Sequence, residues 1–565
     1  MEGTPGTADG DDSAGAGEAI SDAVTNGADE TDMVPTADPE TELTDDETAA
    51  VADDGEALGP ATDDDPDPVT EGPPDEPIVD RTALTEQAIA EEGQFEPTQV
   101  LSDPSDLAIL RRAVRFYGAE RCGDTGNWLL QGHELGAACH LADGEAVGLD
   151  LSGGWHDAGD HVKVTLTVGY AAYALLKAYD AFPAGFVDLE GPDYDGTPNG
   201  IPDVLDEVRV GLDWLVKAHP DPDTVVAMVA NPDHDHKYFY TSPYQSTLPT
   251  EDGGDPREVF MGAAADFAGV ASAALAAGSV AFRPFDSELA DMYLAKAESA
   301  FAYAEANPGL SDSPLYVWDG MTWEDDVFAA AAELYRATAS DDYLQTALSW
   351  DEEIGMTGWV LSFGQVSDYA RHTLVELGQT APLANWQADV DAYMDRRVEE
   401  EDPEEGTFLQ PGVSRAMKDN LMGLTYYDMW GTCRYGAAAG FSAALLHQAT
   451  GDATYRDYAL QQYDWVKGDN PHGRSFIVGM GSDPPLRPHH RNAFGHDDTV
   501  GFDDPSNPAI DDEIPFDFIL HGALAGGPSD EGYVDTINDY RGNEVALDYN
   551  AGLVGLAAYA VELAQ

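Results

Sequence analysis

The sequence predicts an all-α fold: a toroid of helical hairpins preceded by an acidic, disordered segment. Three observations predict it. About a dozen stretches carry the apolar period of a helix, and hardly any carry the alternation of a strand. Two helix junctions repeat one pattern, Ala-Thr, then a turn of small or acidic residues, then Tyr, at Glu333–Tyr343 and at Leu446–Tyr455. Repeated helical hairpins are what a ring of helix pairs is built from. Finally, the composition changes abruptly near Thr98.

Residues 1–95 are rich in Asp, Glu, Gly, Pro, Thr and Ala, and no Lys or Arg occurs before Arg81. Such a segment buries too little apolar surface to offset the entropy of ordering. It is expected to be a disordered leader or linker, with a short helix near Leu84–Glu92. From 98 to 565 the pattern predicts one large domain. Its helices are expected at Asp106–Glu120, Thr165–Ala181, Pro202–Ala218, Phe260–Ala281, Glu288–Ala306 and Glu324–Ala339. Six more are expected at Asp342–Trp350, Ser362–Leu377, Trp386–Glu399, Thr432–Ala449, Thr454–Lys467 and Val545–Glu562. The connecting loops are long and rich in Gly, Pro, Asp and aromatics, and loops of that kind carry function.

The chain holds 107 Asp and Glu against 26 Lys and Arg, a formal net charge of −81. Phosphate would repel it, which excludes nucleic acid and anionic membranes as partners. A carboxylate surface this dense fits a halophile, where salt screens the self-repulsion. No run of about 18 apolar residues is expected to cross a membrane, and no signal sequence is visible. Three cysteines, Cys122, Cys139 and Cys433, cannot all pair internally, so no disulfide framework is expected.

Four stretches concentrate chemistry. GGWHDAGDH, Gly153–His161, sets Asp157 and Asp160 three apart with His156 and His161 beside them. This suits a metal site or acid–base catalysis, and equally an Asp-rich N-cap for the helix that follows. In RGNEVALDYNAG, Arg541–Gly552, Glu544 enters the last helix, where a first-turn acid is favoured by the helix dipole. That role leaves the polar Asp548-Tyr549-Asn550 interruption unexplained. SFIVGMGSDPPLRPHHR, Ser475–Arg491, gathers scarce basic side chains. DMWGTCRYG offers Trp430, Arg434 and Tyr435 ahead of a helix. Aromatic faces beside polar groups suit sugar rings and their hydroxyls.

Together GGWHDAGDHVK, WGTCRYG, IVGMGSDPPLRPHHR and YVDTINDYRGNEVALDYNAG resemble the family 9 glycoside hydrolases, the endoglucanase family. The resemblance runs in family order over roughly 98–565. It implies an (α/α)6 barrel and inverting cleavage of internal β-1,4-glucosidic bonds. It further implies that Asp160 is the general base, that Asp157 helps hold the water, and that Glu544 is the general acid. His489, Arg491 and Tyr549 should line the catalytic subsite. Trp430, Arg434, Tyr435 and Trp323 should form neighbouring sugar surfaces, with Asp535 supporting the site. Asp483 departs from the family's usual Asn, Lys or Arg. Some members carry a structural zinc, which implies Cys122, Cys139, His140 and His156 as ligands here, leaving Cys433 a buried thiol. Members often bind calcium, for which Asp193, Asp195, Asn199 and Asp203 are candidates, although the same loop suits a polar turn capping a helix. No organic cofactor is expected. The expected partner is a β-glucan, acted on by a secreted monomer. An exo-acting member working on chain ends is the alternative. A purely carbohydrate-binding toroid would lack a catalytic carboxylate, and all three are present. His161 is left without a role.

Overall fold

The computed structural model describes residues 80–130, 138–318, 321–399, 419–497 and 510–565. The leader up to residue 79, and with it most of the expected disordered segment, lies outside the described residues. The first helix, α1 (Thr82–Glu92), buries Leu84 and Ala88 and lies against α2 (Asp106–Ala119). Glu92 is clamped by Arg111 at 3.0 Å and Arg112 at 2.5 Å. Helix α1 thus packs with the helical domain, ahead of the boundary expected at 95–98. Two buried apolar side chains on one face of a short helix are enough to dock it, whatever the acidity around them.

Eleven further long helices follow among the described residues. They are α3 (Thr165–Ala181), α4 (Asp203–Ala218), α5 (Ala265–Phe282), α6 (Ser287–Ala306), α7 (Glu324–Thr338) and α8 (Asp341–Ile354). Then come α9 (Ser367–Glu376), α10 (Leu383–Asp395), α11 (Thr432–Thr450), α12 (Ala453–Lys467) and α13 (Leu547–Leu563). Helices α3, α5, α7, α9, α11 and α13 touch in succession, and α13 closes back on α3. The even-numbered helices lie outside them: α4 on α3 and α5, α6 on α5 and α7, α12 on α11 and α13, and α2 on α13. This is an (α/α)6 barrel, six inner and six outer helices in alternation.

Composition sorts the two rings. In α5, 16 of 18 residues are buried, whereas in α6 only 6 of 20 are. A helix enclosed on every side can be apolar all round. Helix α5 is accordingly long and apolar enough to cross a membrane, with mean hydropathy 1.5, contrary to the sequence expectation; 89% of it is buried within the ring. The two look-alike junctions are the α7–α8 and α11–α12 turns, both inner to outer. Each ends its inner helix on a left-handed residue, Ala339 at φ 54° and Gly451 at φ 72°.

Two expected helix starts shift by five residues. Phe260 belongs to a small antiparallel sheet, β1 (Lys163–Val164), β2 (Met228–Val229) and β3 (Val259–Phe260), so α5 begins at Ala265. Two-residue strands leave no readable alternation. Helix α9 begins at Ser367 because Ser362 and Gln365 pair with each other through two 3.0 Å backbone hydrogen bonds. The Val366 N–H then goes to Asp325 Oδ2 at 2.9 Å.

The segments that hold the catalytic candidates all run into the N-termini of inner helices: 153–164 into α3, 315–323 into α7, 355–366 into α9, 428–431 into α11 and 541–546 into α13. One end of the ring is thereby furnished with the unusual loops.

Candidate active site

Asp160 and Glu544, 384 positions apart by number, line the same cleft of about 1220 Å³. Backbone pairing brings them there. Ala158 bridges Ala546, and the Leu547 N–H donates to the Asp157 carbonyl at 3.0 Å. His489 bridges Glu544, its N–H donating to Asn543 at 2.7 Å, and the Arg491 N–H donates to Gly159 at 3.1 Å. Three loops are thus stitched into one floor. Gly159 is required there, because a Cβ would stand 1.9 Å from the His489 carbonyl oxygen.

The carboxylates sit in different surroundings. Burial pushes Glu544 up to about 7, against the pull of two donors on its Oε2, Trp430 Nε1 at 2.6 Å and the Tyr549 hydroxyl at 2.8 Å. Asp160 accepts from His236 Nε2 at 2.8 Å. Burial works against charge on His236, but Asp160 outweighs it and raises the imidazole to about 9, so it is a cation at neutral pH. Asp157 is buried and accepts from the Tyr316 hydroxyl. Burial first, and the neighbouring Asp160 second, hold its pKa well above the usual range.

The polar run in α13 now has an explanation. Asp548 takes Arg434 at 3.1 Å, Tyr549 holds Glu544, and Asn550 bonds Leu524 N–H and the Ala113 carbonyl at 2.6 and 2.9 Å. Trp430, Arg434, Tyr435 and Tyr549 line the cleft. Asp535 does not. It accepts from the Leu486 and Arg487 N–H groups at 2.9 and 3.0 Å, fixing the loop that carries His489.

Three of the expected residues are not among those lining the cleft. Arg491 is 1% exposed and is not among the lining residues; its guanidinium grips Asp235 at 2.7 Å. It thus holds the segment bearing His236 from behind. His489, 8% exposed with Nδ1 on the Ile537 carbonyl at 2.7 Å, is not among the lining residues either. Trp323, half-buried, packs edge-on against Trp350 at 5.5 Å on the flank of the core. The exposed cleft aromatics are Trp318, Trp359 and Trp430, with Tyr316 beside them. Sequence reasoning missed His236, Tyr316, Trp318 and Trp359. The aromatic density of LYVWDGMTW and the lone histidines of DHDHKYFY were the available signals.

Of the four expected zinc ligands, three converge. Cys122, Cys139 and His156 are buried with ligand atoms all within 4.8 Å of one another. The Sγ–Sγ distance is 3.7 Å and Cys139 Sγ lies 3.9 Å from His156 Nε2. Tetrahedral zinc with Zn–S of about 2.3 Å and Zn–N of about 2.0 Å requires ligand separations of about 3.5–3.8 Å. His140 stands at the edge of this group, its ring 5.9 Å from that of His156. Its Nδ1 meets Asp255 Oδ1 at 3.0 Å while its buried Nε2 has no hydrogen-bond partner. A carboxylate on the far nitrogen is how a ligating imidazole is oriented. The residues fit the metal. Cys433 is buried and free. His161 is a buried neutral imidazole, its Nδ1 on Gln245 and its pKa depressed mainly by burial.

In the candidate calcium loop, nearby backbone N–H groups donate to the side-chain oxygens. Asp203 accepts from the Leu189 and Glu190 N–H groups, Asp195 from Thr197 and Asn199 from Ile201. No three of the loop's carboxylates converge. Asp195 and Asn199 close tight turns, and Asp203, the first residue of α4, ties down the 189–190 backbone.

A family model described as Glycosyl hydrolase family 9 matches residues 108–557. Endoglucanase 4 of Bacillus sp. (strain KSM-522) is 30% identical over 475 residues, 82% of this chain and 69% of the relative. Endoglucanase A of Bacillus pumilus is 30% identical, with 81% of this chain and 66% of the relative covered. Among solved structures, an endoglucanase of the termite Nasutitermes takasagoensis superposes with TM-score 0.66 at 30% identity, covering 82% of this chain and all of the termite chain. The cellulase Cel9M of C. cellulolyticum, in complex with cellobiose, gives 0.65 at 27% identity, covering 82% and 100%.

Proposed function

The chain belongs to glycosyl hydrolase family 9, and from that premise we infer that it is an endo-acting β-1,4-glucanase that inverts the anomeric centre. The observation that carries the mechanism is the contrast between Asp160 and Glu544 in one cleft. Inversion needs a protonated acid on one side of the sugar and an ionised base, with room for water, on the other. Glu544, lifted to about 7, still holds its proton in mildly acidic solution and donates it to the leaving glycosidic oxygen. Asp160, hydrogen-bonded to His236 Nε2 at 2.8 Å, removes a proton from water as that water attacks the opposite face. Asp157, fixed by Tyr316 and by the Leu547 N–H on its own carbonyl, holds the water beside it. Trp318 and Trp430 offer faces for glucosyl rings. Rapid loss of viscosity in a soluble cellulose derivative, ahead of reducing-sugar release, tests the endo mode; release of short sugars without viscosity loss contradicts it.

A structural zinc on Cys122, Cys139, His156 and His140 would supply no step of this chemistry. It would brace the loop that carries Asp157 and Asp160 from the side away from the sugar. Cys122→Ser is expected to weaken zinc binding more than about 100-fold and to lower the melting temperature. Turnover per folded molecule should persist. A catalytic metal would instead show turnover vanishing on chelation while the fold stays intact.

The acidic surface favours function in high salt. Screening lengths fall from about 10 Å at 0.1 M to about 3 Å at 1 M, which relieves repulsion in a chain of net charge −81. Thermal melts should rise with added KCl; a salt-independent melt contradicts the halophilic reading. A polymeric glucan cannot enter a cell, which favours secretion.

A further inference from the structure

Trp359 is a large apolar side chain, 41% exposed, on the wall of the cleft. Its loop is held by side chains of the inner helix α9 and the outer helix α10. The Thr357 and Gly358 N–H groups both donate to Asp389 Oδ1, at 2.8 and 2.7 Å. Arg371, fully buried, donates Nη2 to the Gly355 carbonyl and Nη1 to Asp389 Oδ2, both at 2.5 Å. The Tyr393 hydroxyl lies 2.9 Å from the Trp359 carbonyl. Gly355 and Gly358 take φ of 58° and 64°, turns that a side chain would strain.

A buried arginine and carboxylate are costly to bring out of water, and a well-packed apolar pair would often serve stability as well. Besides binding Asp351 and Asp368, the Arg371–Asp389 pair fixes the backbone under one exposed indole. The indole meets Tyr435 at 6.2 Å, Tyr435 touches Arg434, and Arg434 lies over Tyr549, which bonds Glu544. Trp359 is therefore several side chains removed from the proposed acid, at a distal position along the cleft.

We propose that Trp359 forms a distal subsite that stacks one glucosyl ring of a β-1,4-glucan chain, and that Arg371 and Asp389 are its positioning residues. The proposal rests on the β-glucanase reading of the cleft. A rigidly held aromatic binds a sugar face at low entropic cost, whereas a mobile one must be ordered first.

The test compares cellohexaose, long enough to reach Trp359, with 4-nitrophenyl cellobioside. For Trp359→Ala, the ratio of kcat/KM on the long substrate to that on the short one should fall about tenfold, carried by KM. Calorimetric binding of cellohexaose to Glu544→Gln should weaken about equally when Trp359→Ala is added. Tyr393→Phe, which removes only one hydroxyl, should lower the ratio by about threefold. Asp389→Asn should shift the ratio the same way. Neither should add to Trp359→Ala in the double variant. An unchanged ratio and affinity in Trp359→Ala overturns the subsite. Equal losses on both substrates in Asp389→Asn and Tyr393→Phe, additive with Trp359→Ala, overturn the positioning role. A wild-type chain that binds cellohexaose without cleaving it defeats the hydrolase reading and leaves the subsite standing; one that binds none overturns both.

Discussion

Glu544→Gln is expected to lower kcat on a soluble cellulose derivative by about 10³-fold, with the fold retained. Glutamine keeps the shape and can still accept from Trp430 Nε1 and the Tyr549 hydroxyl, the two donors on Glu544 Oε2. What it cannot do is release a proton to the departing oxygen. The deficit should therefore shrink sharply on an aryl glucoside whose phenolate leaves without protonation. The pH profile supplies a second signature. Burial holds the Glu544 proton up to about 7, so the working form of this group is the protonated one. Activity is retained below that value and lost as pH rises through it, and kcat/KM should show an alkaline limb near 7. The limb should be missing in Glu544→Gln. A wild-type profile flat to pH 9, or a glutamine variant with ordinary activity, would sink the assignment.

Asp160→Asn should be comparably damaging, about 10³-fold, but with the opposite dependence on leaving group. No quality of leaving group compensates for water that has lost its base, so aryl glucosides should suffer as much as polymer. Azide, which needs no deprotonation, should restore part of the activity in a small-to-absent side chain such as Asp160→Ala, giving the α-glycosyl azide. Asp157→Asn should be damaging too, because that buried carboxyl is the neighbour fixed by Tyr316. Ordinary activity in Asp160→Asn would move the base elsewhere in the cleft.

The ring of helices was legible because a dozen stretches carry the apolar period of a helix and two of the hairpin turns repeat one pattern. The α7–α8 and α11–α12 turns were legible because both close with Ala-Thr and a left-handed residue. Strands of two residues, such as Val259–Phe260, were not, since two positions show no period. Within the site, motif position brought out Asp157, Asp160, Glu544, Trp430, Arg434, Tyr435 and Tyr549, all of which the structure gathers at or directly behind the cleft surface. Motif position could not tell a residue facing the cleft from one bracing it. Arg491 and His489 stand behind the carboxylate loop, and Trp323 turns toward Trp350. His236, Tyr316 and Trp359 lie on loops outside the four quoted motifs, reached only by folding. The donors of the 193–203 loop read as a calcium site on composition, yet backbone N–H groups nearby consume them. Helix α1 was half legible: its position was expected, its docking was not.

The most direct measurement is proton NMR of a cello-oligosaccharide during the first minutes of hydrolysis, before mutarotation mixes the anomers. Direct attack by a water activated at Asp160, with Glu544 protonating the leaving oxygen, predicts that the new reducing end appears first as the α-anomer. First appearance of the β-anomer would mean that a carboxylate attacks the sugar itself, and would contradict the account.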